Sequence, residues 1–144
     1  MVNNLENNLK ILELYWKNQN ILTKPCENKI IHYYKNIFPI DFIYLYSNIN
    51  GMYSVYPNGS DLEGFLFYPL EYIEKISDNI YIFADYLHVS WNYGIKIDSI
   101  KNNKYSIILI TDLDNINDSL IITNSLSDFI ELYINDSPRI YIPC

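Results

Sequence analysis

The sequence predicts an α+β domain, with N-terminal helices packed on a mostly antiparallel sheet and a further helix near the C-terminus. Three observations carry this expectation. Apolar residues recur at helical spacing between Leu5 and Ile49, the pattern shifts to alternation and short apolar runs from Gly64, and helical spacing returns after Ser125. The chain has 144 residues, enough to bury a core as a single domain over 1–144, and shows no repeat, linker or low-complexity tail.

The first predicted helix presents Leu5, Leu9, Leu12 and Trp16 on one face, widened by Ile11 and Tyr15. Lys24-Pro25 ends that region, because the residue before proline is pushed away from helical geometry. A second helix starts near Glu27 and turns Ile30, Ile31, Tyr34 and Ile37 toward the core. Pro39 opens a third, whose apolar face is Phe42, Leu45, Tyr46 and Ile49, with Gly51 as a left-handed cap. Gly51 so placed stops a helix and has no need to cradle a phosphate.

Strands are expected at 64–68, 80–84 and 93–98, where Tyr93, Ile95 and Ile97 alternate with Gly94, Lys96 and Asp98. Residues 104–111 are apolar on both faces and should lie centrally, joined to the preceding strand by the polar turn at 98–104. A short helix is expected over 69–76 and a further strand over 119–123. Ser125 fits an N-cap for a last helix carrying Leu126, Phe129, Ile130 and Tyr133, and 139–143 could add an edge strand. An edge there would leave a homodimer open.

Composition narrows the function classes. With 49% apolar and 19% charged residues the chain is not disordered by composition, and no apolar run approaches a bilayer span of about 20 residues. The N-terminus lacks the basic flank and apolar centre of a secretion signal, so a cytoplasmic location is expected. Net charge is −7, from 10 basic and 17 acidic residues. That balance argues against nucleic acid and anionic membranes, and favours a basic partner if carboxylates cluster.

Catalytic and cofactor motifs are scarce. Four glycines form neither GxGxxG nor GxxxxGK[ST]. Two cysteines, Cys26 and Cys144, and two histidines show no paired zinc spacing. Asp112 and Asp114 begin like a calcium loop, but Ile116, Asn117 and Thr123 stand where ligand, glycine and bidentate acid are required. No metal and no cofactor is therefore expected. A thiol enzyme would need Cys26 beside His32 or His88, and a small-ligand site could draw on Cys26, His88 and Trp91.

What stands out is aromatic content, 16% with 15 tyrosines. Tyr53 and Tyr56 flank turns, where tyrosine is either packed on the sheet edge or offered to a partner. The candidate contact residues are accordingly Tyr53, Tyr56, Asp61 and Glu63 on one loop, with Asp112, Asp114 and Asp118 on another.

The segment "IFPIDFIYLYSNINGM" resembles the Leu-Pro…aromatic…Asn-Gly helix of the SUKH superfamily, which includes bacterial toxin-immunity proteins and the fungal Smi/Knr regulators. Phe38-Pro39, Phe42, Leu45 and Asn50-Gly51 carry the likeness. "IFADYLHVSWNYGIKID" is similar to that family's central hairpin, and "IITNSLSDFIELY" to its closing helix through Ser125, Leu126, Phe129 and Ile130. Leu126 stands in place of the usual phenylalanine, and Asp85-Tyr86 in place of a glycine-rich turn. The resemblance runs over about residues 26–135. It implies a non-catalytic immunity protein that binds and neutralises a cognate toxin, often a nuclease or deaminase. The same fold implies a regulatory adaptor as the alternative.

Overall fold

The computed structural model describes residues 2–140. Three helices come first: α1 (Val2–Lys17), α2 (Asn28–Tyr34) and α3 (Ile40–Asn48). Six strands follow, β1 (Phe65–Phe67), β2 (Glu74–Ser77), β3 (Ile80–Tyr86), β4 (Trp91–Ser99), β5 (Lys104–Ile110) and β6 (Leu120–Thr123), and then α4 (Leu126–Ile134). They form one sheet of order β1-β3-β4-β5-β6, with β2 also on β3 and every pairing antiparallel. The α+β architecture follows the sequence pattern.

Helices α1, α3 and α4 meet the sheet through aromatic rings. Trp16 of α1 lies edge-on to Phe67 at 5.3 Å, Phe42 of α3 to Phe83 at 5.4 Å and to Tyr105 at 5.4 Å, and Phe129 of α4 to Phe83 at 5.7 Å. Such edge-to-face pairs add to the burial of large apolar area. Leu5, Leu9, Leu12 and Trp16 are all buried, as are Phe42, Leu45, Tyr46 and Ile49. Ile11, expected to widen the face of α1, is instead 50% exposed.

Two polar links fix the layers. The Tyr105 hydroxyl donates to Asp41 at 2.6 Å and accepts from the Leu126 amide at 2.6 Å, tying β5 to α3 and to the start of α4. Ser125 caps α4 by accepting from the Asp128 amide at 3.2 Å. Asn50 is buried; it accepts from the Leu70 amide at 2.8 Å and donates to Glu71 at 3.0 Å.

Several expectations are corrected. Helix α3 stops at Asn48 with an extended Ile49, so Gly51 is no immediate cap. Gly51 has φ +57°, and a Cβ there would lie 2.4 Å from the Tyr68 carbonyl oxygen. It is needed for close approach of the chain to the end of β1. The helix expected over 69–76 is a single 3₁₀ turn, Leu70–Tyr72, followed by β2. A helix that short has little stability of its own. The edge of β3 beyond β1 offers unpaired backbone groups, and β2 takes it with Glu74 opposite Ile82. At the C-terminus Pro138–Ile140 forms a 3₁₀ turn, so the edge strand expected over 139–143 does not begin there, and 141–143 lie outside the described residues.

No described helix is long and apolar enough to cross a membrane.

The phenols of Tyr46, Tyr68, Tyr93, Tyr105 and Tyr133 are all raised above their ordinary value of 10.0, burial being the largest cause in each. A raised folded pKa means that the folded chain holds those protons more tightly than the unfolded one. Their contribution to stability is complete below pH 10 and is lost as pH climbs beyond it. Denaturant midpoints are therefore expected to fall above about pH 10. The buried phenols should ionise only together with unfolding, which absorbance at 295 nm follows.

Candidate functional site

The sheet register decides which loops are neighbours. Phe65 pairs with Tyr86, Tyr86 with Trp91, and Asn92 with Ile110. The loop entering β1, the β3–β4 turn and the loop leaving β5 therefore emerge at one end of the sheet. Neighbouring strands lie about 4.8 Å apart, so the two outer loops are separated by roughly 14 Å. The segments 57–64, 85–92 and 111–119 carry Asp61, Glu63, Asp85, Asp112, Asp114 and Asp118, and contain no lysine or arginine.

Glu63, Asp112, Asp114 and Asp118 are exposed. Asp112 shapes its own loop, accepting from the Asp114 amide and from the Asn115 side chain, both at 2.9 Å. Among these acids stand exposed apolar side chains: Leu62, Leu87, Val89 and Leu113. Leu62 is 83% exposed and is held in place because its amide donates to Gln19 Oε1 at 2.8 Å. Exposed apolar side chains among like-charged acids are the composition of a docking surface.

Asp61 does not belong to that surface, correcting the expectation of a solvent-facing acid. It is buried, and one oxygen accepts from the amides of Glu63, Gly64 and Phe65, each at 2.9 Å. Its other oxygen accepts from the Tyr133 hydroxyl, which in turn accepts from Trp16 Nε1 at 2.8 Å. Asp61 thus shapes the turn into β1 and ties it to α4 and α1.

The two tyrosines are half-buried. Tyr56 stacks on Tyr72 at 4.9 Å and meets Tyr68 edge-on at 5.5 Å. Tyr53 lies beneath the Lys24 ammonium, 4.4 Å from the ring centroid, beside the 22–24 segment. Of the seven residues singled out by sequence, four acids lie on loops at one end of the sheet, Asp61 is buried, Tyr56 packs on Tyr68 and Tyr72, and Tyr53 is half-buried against Lys24.

The β3–β4 turn departs from expectation most. Although "YLHVSW" reads as a strand-like run, Leu87, His88 and Val89 form a turn with φ of 53°, 53° and 61°. That region is costly for side chains with a Cβ, and most so for β-branched valine. The turn's side chains edge a cleft of about 220 Å³ lined also by Pro57, Gly59, Ser60, Gly64, Leu66 and Asp85. The sequence signal for Asp85 is an acid within the otherwise apolar run "IYIFADY".

The residues of a conceivable catalytic or ligand site are placed as follows. His88 lines this cleft without Cys26 or Trp91. Trp91 is half-buried with its ring 5.9 Å from that of Tyr86. Cys26 is buried, and its thiol is pushed up to about 11, first by burial and then by Glu71. Little thiolate exists at neutral pH, so Cys26 should resist alkylation by iodoacetamide at pH 7.5 in the native protein. It should react once denaturant is added, as mass spectrometry of its peptide will show.

Among the described residues no group of three or more His, Cys, Asp or Glu side chains is placed to hold a metal ion. Comparisons with protein-family models, with curated proteins and with solved structures find no significant match to this chain.

Proposed function

We propose that this chain is a non-catalytic immunity protein of the SUKH type, acting in the cytoplasm, which neutralises a cognate basic toxin by covering it. The observation that carries the proposal is the acidic end of the sheet. Glu63, Asp112, Asp114 and Asp118 surround Leu62, Leu87, Val89 and Leu113 on segments that contain no Lys or Arg. Long-range attraction from the acids would draw in a basic domain, and desolvation of the apolar centre would hold it. The sequence resemblance supports the same reading and supplies the toxin class.

Co-expression with the product of an adjacent reading frame tests it. A stable complex that protects cells from that product is expected. A toxic product that neither co-purifies with this protein nor is neutralised by it would count against the proposal.

A further inference from the structure

The exposed acids give the docking end its potential, but the cleft beside them has a different chemistry. Asp85 lines it and is only 5% exposed. A carboxylate so far removed from water needs a partner that answers its charge. Its hydrogen bond among the described residues comes from the Tyr68 hydroxyl at 2.6 Å, and no described lysine, arginine or histidine pairs with it. The Tyr68 phenol is held above its ordinary range, by burial first and then by the bond to Asp85. It therefore remains a neutral donor and leaves the charge of Asp85 unanswered.

The rest of the lining is mostly apolar, with Ser60 and the exposed His88 as its other polar side chains. Leu66 stands opposite Asp85 in the β1–β3 register, and Pro57, Leu87 and Val89 supply the other apolar side chains. Leu87 and Val89 are held there by the left-handed turn, a backbone arrangement that persists only where the surroundings enforce it. At about 220 Å³ the cleft is smaller than a typical small-molecule pocket and suits one inserted side chain.

We infer that this cleft is the anchor point of the docking surface and receives one arginine side chain of the basic partner, its guanidinium paired with Asp85. The inference rests on the docking function proposed above. A guanidinium is favoured over an ammonium because it is planar and weakly hydrated, and its fork can reach the carboxylate alongside the Tyr68 hydroxyl. The aliphatic stem of the arginine would lie along Leu66, Leu87 and Val89.

The test uses ¹⁵N-labelled protein titrated at 150 mM salt with acetylated, amidated hexa-arginine, and separately with hexalysine. Saturable shifts are expected at Gly64–Leu66 and Asp85–Ser90, with hexalysine binding more weakly. Asp85→Asn keeps an acceptor for Tyr68 and is expected to weaken hexa-arginine binding about ten-fold or more. Asp112→Asn, at an exposed site, should change it less than about three-fold. Should Asp85→Asn fold poorly, Leu87→Ala alters an exposed wall residue and should weaken binding several-fold.

Shifts spread evenly over all acidic loops, equal binding of hexalysine, or an Asp85→Asn affinity like that of Asp112→Asn would overturn the assignment. The two proposals fail separately. Cleft-centred arginine binding without toxin neutralisation removes the immunity function and leaves the cleft. Full protection by a folded Asp85→Asn protein with evenly spread shifts does the reverse.

Discussion

Asp61→Ala is expected to destabilise the protein by about 3–5 kcal/mol, lowering its melting temperature by about 10 °C or more. The carboxylate satisfies three consecutive amides and the Tyr133 hydroxyl within a buried site. Alanine leaves those donors without acceptors, and an unmade buried hydrogen bond costs more than a made one contributes. Asp61→Asn should lose less, since its amide oxygen can still serve the turn while its NH₂ faces the Tyr133 hydroxyl. Tyr133→Phe should cost about 1–2 kcal/mol, and its effect should not add to that of Asp61→Ala, because both break one chain of bonds ending at Trp16. Urea denaturation of wild type, the three single variants and the Asp61→Ala/Tyr133→Phe double variant checks this. An Asp61→Ala midpoint close to wild type would show that the turn into β1 is held by other contacts.

The second large effect concerns rate rather than stability. Joint replacement of Glu63→Gln, Asp112→Asn, Asp114→Asn and Asp118→Asn is expected to slow association with the basic partner by about 10–100-fold at low salt. All four are exposed, so the overall fold should be kept, with only the Asn115 bond to Asp112 lost within its loop. Dissociation should change much less, because it depends on the desolvated contacts at Leu62, Leu87, Val89 and the cleft. Near 0.5 M salt the difference should shrink, since the screening length falls well below the roughly 14 Å between the outer loops. Stopped-flow measurement across a salt series separates the two rates. A dissociation-only effect would mean that the four acids make short contacts and steer nothing.

Asp61 and Asp112 show where sequence stops informing. Both sit in polar turns beside glycine or asparagine, and nothing within a few residues tells them apart. Their fates diverge because Tyr133, 72 positions away along the chain, reaches Asp61, while Asp112 bonds only within its own loop. Features set by local periodicity were legible: the buried faces of α1 and α3, the burial of Tyr93 and Ile95 in β4, and the Ser125 cap, although Asn92 and Gly94 are buried too where alternation would expose them. Features set by competition between partners were not. Residues 74–77, in and just beyond the segment expected as a helix, pair with β3 as an edge strand, and no glycine or asparagine announces the left-handed turn at 87–89. The docking end belongs to this second class, because sheet order alone brings residues 57–64 and 111–119 to flank the β3–β4 turn.

The most direct test is hydrogen exchange on the free protein and on its complex with the co-expressed toxin. Slowed exchange is predicted at residues 60–66, 85–92 and 111–119, with the outer face of α2 and the β6 edge unchanged. Protection confined to α2 or β6, with those three segments exchanging as in the free protein, would contradict the placement of the docking surface at the acidic end of the sheet.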